Sequence, residues 1–213
     1  MTALGMWMHL NSQIYQRVHD VIISTSNGTT QIDHIILSIY GIFVIETKNY
    51  KGWIFGSPTE AKWCQSVFGN KNGFQNPLHQ NYRHIKSLCE YLNLEEYFFK
   101  SVVFFIGDCE IKSNMPPNVM TRGLASYIKG FKDAILSPDQ VANIKAKLES
   151  AKTSPAASKR EHVQTLRSRI NSTTECPKCG SALVTRVAKR GSNAGGTFLG
   201  CSAYPNCKYT KRL

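Results

Sequence analysis

Apolar and polar positions alternate with a period of two through Val18–Thr25, the pattern of a strand with one buried face. The Asn27-Gly28 pair that follows reads as a hairpin turn. Two β-branched and aromatic runs come next, residues 31–40 and 41–50. Joined near Tyr40-Gly41, they read as adjacent antiparallel strands. From Asn76 to Leu94 the Leu, Ile and Tyr residues recur at helical intervals, with Pro77 suited to the first turn. The apolar run 101–107 reads as a buried strand, and 137–151 as a helix capped by Ser137 and started by Pro138. The pattern therefore predicts a mixed α/β fold. From 152 to 174 the chain turns to Ser, Thr, Ala, Lys and Arg, a basic linker with some helical character. The chain shows no internal repeat and no heptads.

A two-residue turn at Tyr40-Gly41 would set Asp33 opposite Lys48 and Ile35 opposite Glu46. Since side chains two apart share a face, Asp33, Glu46 and Lys48 are expected to project from one side of the hairpin. Two carboxylates and an ammonium beside apolar runs are costly to bury unless paired or bound to a cation. Mg²⁺ or Mn²⁺, held by Asp33 and Glu46, would remove that cost, and Lys48 would orient or deprotonate a water. A plain surface ion pair on a hairpin would produce the same letters.

The segments Ile32-Asp33-His34 and Ile45–Gly56 resemble the nuclease-related domain, a branch of the PD-(D/E)xK nucleases. Asp33 occupies the first acidic position and Glu46-Thr47-Lys48 the ExK signature. Matches at residues 53–56, at Asn76-Pro77 and Gln80, and near residue 140 extend the resemblance over roughly residues 15–150. It implies a restriction-endonuclease-like mixed sheet flanked by helices, and a Gln80 side chain directed at the metal or the scissile phosphate. Members of the family carry an acidic helix before the first strand. Residues 1–16 here contain no acidic residue, which implies a truncated start or an incomplete site. His34 and His84 read as structural, Cys64, Cys89 and Cys109 as buried inert thiols, and Trp53, Trp63 and Phe74 as packing residues.

Charge divides the 213 residues unevenly. Residues 1–151 hold 14 basic and 12 acidic side chains, while residues 152–213 hold 12 basic ones against Glu161 and Glu175. A polyanion is the natural partner of such a tail. No stretch reaches the roughly 18 apolar residues of a membrane span, and the first ten residues lack the features of a signal peptide. The expected compartment is the cytoplasm, where the seven cysteines would be metal ligands or core residues rather than disulfides.

Four of those cysteines form two close pairs, Cys176-x-x-Cys179 and Cys201-x5-Cys207, a tetrahedral thiolate set for structural Zn²⁺. With few large apolar residues, the segment 175–213 needs the metal in order to fold. Lys178, Arg186, Lys189, Arg190, Lys208, Lys211 and Arg212 are interleaved with Phe198, Tyr204 and Tyr209. That composition lets cations follow phosphates while aromatics stack on bases. Residues 176–211 closely resemble the C-terminal four-cysteine zinc ribbons of bacterial topoisomerase I, and so imply binding of single-stranded DNA.

Together these readings divide the chain into a nuclease-related domain (1–151), a basic linker (152–174) and a zinc ribbon (175–213). They predict a metal-dependent deoxyribonuclease tethered to DNA. The alternative is a catalytically inactive DNA-binding or repair-accessory protein.

Overall fold

Every residue from Ile35 to Ser38 and from Gly41 to Glu46 is buried, so these two runs form strands covered on both faces. The computed structural model describes residues 9–25, 28–153, 171–177, 181–190, 193–205 and 207–212. It divides into two compact units, one of residues 1–25 and 30–158, the other of residues 26–29 and 159–213. The strands of the first are β1 (Gln16–Thr25), β2 (Gly28–Ser38), β3 (Gly41–Asn49), β4 (Gly52–Phe55), β5 (Lys62–Val67), β6 (Asn70–Gln75), β7 (Phe99–Ile106), β8 (Cys109–Ile111) and β9 (Val119–Met120). Its helices among the described residues are α1 (Pro77–Leu92), α2 (Leu124–Lys129) and α3 (Pro138–Thr153). The fold is mixed α/β, as the pattern predicts.

The main sheet runs β1-β2-β3-β7-β9, antiparallel between β2 and β3 and parallel from β3 to β7 to β9. On one face Ile35, Leu37, Ile42 and Val44 pack with Ile85 and Leu88 of α1 and with Val141 and Leu148 of α3. On the other, Ile36, Phe43, Ile45 and Phe104 meet Leu124 and Ile128 of α2. No described helix is long and apolar enough to cross a membrane.

Both predicted helix starts are present. Asn76 is fully buried; its Oδ1 accepts from the Leu78 amide at 2.9 Å, and its Nδ2 donates to the carbonyls of Ser57, Pro58 and Glu60. The Ser137 hydroxyl accepts from the Gln140 amide, and the Gln140 side chain returns a bond to the Ser137 amide, a capping box. The Asn27 turn and most of the linker, residues 154–170, lie outside the described residues.

The β2–β3 register differs from the expected one. Ser38 pairs with Gly41 and Ile35 with Val44, so Ile39 and Tyr40 form the turn. The Ser38 hydroxyl accepts from the Tyr40 amide, and Gly41 has φ +136°, a conformation that favours glycine. The register shifts by two residues, which preserves which side chains share a face. Regular pairing runs out at His34–Ile45, just before Asp33.

A second sheet, in the order β6-β5-β4-β8, was not expected from the pattern. Its inner face carries Ile54 and Trp63, which pack with Phe74 and Phe105. Gly52 opens β4 at φ +77°, where a Cβ would come within 2.4 Å of the Ser66 carbonyl oxygen. Trp63 and Phe74 are packing residues, as expected. Trp53 is not: its neighbour Ile54 takes the inward position, and Trp53 is 53% exposed on the outer face.

In the second unit β10 (Leu183–Val187), β11 (Thr197–Cys201) and β12 (Thr210–Arg212) form an antiparallel sheet with β11 in the centre. Buried Leu183 and Leu199 pack on Cys176, Cys201 and Cys207.

Candidate functional site

The ladder between β3 and β7 ends in polar chemistry. Glu46 and Lys48 follow the apolar run of β3 on the face that α1 covers, and Glu46 is only 3% exposed. Lys48 Nζ stands 2.7 Å from Glu46 Oε1 and donates to Gln80 Oε1 at 3.0 Å. His84 Nε2 lies 3.3 Å from Glu46 Oε2, and its Nδ1 is 3.0 Å from the Thr30 hydroxyl. Burial pushes the Glu46 carboxyl up, but hydrogen bonds from His84 and Lys48, with the Lys48 charge, outweigh it and hold the group below its usual value.

Asp33 is placed differently. Its Oδ2 accepts from the Thr47 hydroxyl at 2.9 Å and the Thr47 amide at 3.3 Å. Its Oδ1 accepts no hydrogen bond among the described residues. The structure thus joins Glu46, Lys48 and Gln80 in one chain of contacts and ties Asp33 to the residue between the two charged members of the ExK run.

His84, which like His34 reads as structural in the sequence, joins this chain of contacts through Glu46. It lies four positions after Gln80 on α1, and that spacing puts both on one face of the helix. His34 sits beside His19, Nδ1 to Nδ1 at 2.8 Å. Burial lowers the pKa of His34, and the carboxylates of Asp33, Asp20 and Glu46 oppose it.

In the second unit the sulfurs of Cys176, Cys201 and Cys207 all lie within 4.8 Å of one another, and all three residues are buried. Cys176 and Cys207 Sγ are 3.7 Å apart. Tetrahedral zinc with ligands at about 2.3 Å sets sulfurs about 3.8 Å apart, so these thiols fit it. Cys179 and Lys178 lie outside the described residues. No other group of three or more His, Cys, Asp or Glu ligand atoms converges in this way among the described residues.

On one face of the ribbon Phe198, in the central strand, is flanked by its cross-strand partners Arg186 and Arg212. The Arg186 side chain crosses Gly200, where a Cβ would strike its Cδ at 2.8 Å, and its guanidinium lies 5.7 Å from the Tyr204 ring centre. A cleft of about 540 Å³ is lined by Arg186, Lys189, Phe198, Tyr204, Lys208 and Tyr209 among others. Arg190 is exposed outside this lining. Lys211 donates to the carbonyls of Asn171 and Ser172, which gives its ammonium a structural task.

Residues 3–106 match the model of the nuclease-related domain, and residues 173–213 that of the topoisomerase DNA-binding C4 zinc finger. The uncharacterized protein pXO1-01 of Bacillus anthracis is 36% identical over 167 residues, covering 76% of this chain and 78% of that protein. The uncharacterized protein YrdD of Escherichia coli (strain K12) is 46% identical over 44 residues, 21% of this chain and 22% of its own length. DNA topoisomerase 1 of Mycoplasma pneumoniae is 49% identical over 37 residues, 17% of this chain and 5% of the topoisomerase. No solved structure matches the chain. The zinc-finger match and the three-cysteine cluster point to structural zinc and to DNA binding, and the first match to nuclease-like function.

Proposed function

The chain belongs to the nuclease-related domain family, and from that premise we propose that it is a metal-dependent deoxyribonuclease of the PD-(D/E)xK type, held on DNA by its ribbon. The observation that carries this reading is the contact chain Gln80–Lys48–Glu46, with Asp33 beside it. On this reading residues 1–151 would be the nuclease-related domain, 152–174 a basic tether and 175–213 the ribbon, in a cytoplasmic protein.

Asp33 and Glu46 would hold Mg²⁺ or Mn²⁺, for which carboxylate oxygens are the suitable donors. Such an ion, when bound, stabilises charge developing on a phosphate and acidifies a bound water. The protein's own groups do the rest. Lys48 supplies a fixed ammonium to orient the water or the scissile phosphate, and Gln80 holds that ammonium at 3.0 Å. His84 holds the second oxygen of Glu46, 3.3 Å from its Nε2, and so restrains the carboxylate. Cys176, Cys179, Cys201 and Cys207 would complete the zinc site. Lys178, Arg186, Lys189, Arg190 and Lys208 would follow phosphates of a single DNA strand, with Phe198, Tyr204 and Tyr209 against its bases.

One observation favours a second reading. Both oxygens of Glu46 are engaged, by Lys48 and by His84, as in a structural ion pair. On that reading the first unit is a catalytically inactive scaffold of a DNA-binding or repair-accessory protein. Metal-dependent cleavage of DNA by the wild-type chain and its Asp33→Ala and Glu46→Ala variants separates the two.

A further inference from the structure

Among the described residues, the outer face of the four-stranded sheet exposes aromatic side chains. Side chains alternate along β4, so Ile54 is fully buried while Trp53 and Phe55 stand outward, 53% and 36% exposed. Their rings meet edge to face with centroids 6.5 Å apart. The register sets Ser66 beside Trp53 and Cys64 beside Phe55. It continues the same face to Lys71, opposite Ser66, and to Lys62, two residues from Cys64. Two central aromatics are thus bordered by small side chains and exposed lysines.

Among the strand residues of this face, the net charge is positive once the Glu110–Lys112 ion pair is counted. Glu110, which pairs with Trp53 across the β4–β8 ladder, is bound to Lys112 at 2.7 Å. The Lys112 ammonium lies 5.1 Å from the centre of the Trp53 ring. Lys62 and Lys71 have no acidic counterpart in the strands that carry them, and the chain has no Asp or Glu between Glu60 and Glu90. At the tip joining β5 to β6, Phe68 is fully exposed at φ +48°. A left-handed phenylalanine projecting into solvent costs free energy that core packing does not return.

From these features we infer that the outer face of β6-β5-β4-β8 is a stacking platform for single-stranded DNA, separate from the ribbon. It rests on the reading that the chain works on DNA. Trp53 and Phe55 offer ring faces to successive bases, and Lys62 and Lys71 reach the phosphates beside them. Flat, unpaired bases suit a sheet surface, whereas a duplex hides its bases from it.

The test uses the full-length protein and a fluorescein-labelled oligo-dT, with affinity read by anisotropy at low salt. Trp53→Ala and Phe55→Ala should each weaken binding by about fivefold or more, and Trp53→Tyr should restore it, because tyrosine retains a stacking ring. Lys62→Gln and Lys71→Gln should each reduce the slope of log affinity against log salt by about 0.7. Unchanged thermal midpoints will show that the variants are folded. Unchanged affinity in the Trp53→Ala/Phe55→Ala chain, with a loss in Phe198→Ala, overturns the platform and leaves the DNA reading intact. No binding by the wild type overturns both. If Trp53→Ala dissociates a dimer without changing oligonucleotide affinity, the face belongs to a second copy of the chain and the inference fails.

Discussion

His84 Nε2 lies 3.3 Å from Glu46 Oε2, so the acidic member of the ExK run is gripped by a helix residue 38 positions further along the chain. Burial alone would raise the carboxyl, but His84 and Lys48 hold it below its ordinary value. The sign of the consequence follows from linkage. A carboxyl depressed in the folded state contributes stability above its unfolded pKa of about 4.3, and loses it as pH falls through the folded value. Acid unfolding should therefore be less steep below about pH 4.3 in Glu46→Gln than in the wild type. Identical acid limbs in denaturant melts at a series of pH values would count against this ion pair.

Asn76 fixes where α1 begins, and through α1 it places both Gln80 and His84. Replacing it with Ala removes the cap and leaves the carbonyls of Ser57, Pro58 and Glu60 without their donor. The expected loss is about 2–4 kcal/mol, since a helix cap and buried hydrogen bonds go together. Urea unfolding of Asn76→Ala should show a lower midpoint with the same slope, and an unchanged midpoint would refute the role.

Zinc should be present at one ion per chain. Cys207→Ser should abolish it and lose the ribbon's structure while leaving the first unit folded, because metal binding is folding energy there. Elemental analysis, with circular dichroism before and after chelation, measures this. Full structure without metal would contradict it.

DNA affinity should fall steeply with salt, as expected when several cations meet phosphates. Phe198→Ala or Tyr204→Ala should weaken binding of a single strand by about fivefold or more, because both rings line the cleft that holds Arg186 and Lys208. A salt-independent affinity, or one that ignores both rings, would exclude the cleft.

Four strands of the main sheet were legible, β1 from its period of two and β2, β3 and β7 as β-branched or apolar runs. So were α1 and α3, whose caps at Asn76 and Ser137 are local chemistry; the short β9 and α2 were not. The hairpin register was not. Whether Gly41 ends a turn or begins a strand depends on its φ of +136° and on the Ser38 hydroxyl, neither of which a hydrophobic pattern encodes. The second sheet escaped because β6, Asn-Lys-Asn-Gly-Phe-Gln, is almost wholly exposed and shows little alternation. His84 was within reach, since its spacing from Gln80 is helical, but only the fold reveals that its partner is Glu46. Asp33 was placed on the right strand, yet its bond to Thr47 arises where regular pairing ends.

The most direct measurement is cleavage of single-stranded and plasmid DNA by the purified chain with Mg²⁺ or Mn²⁺. The account predicts metal-dependent products. Asp33→Ala, Glu46→Ala and Lys48→Ala should each cut about a hundredfold more slowly or worse while the ribbon still binds DNA, and Gln80→Ala should lose less because it carries no charge. Wild-type protein that binds DNA but cuts none with either metal, or variants that cut as well as the wild type, would contradict it.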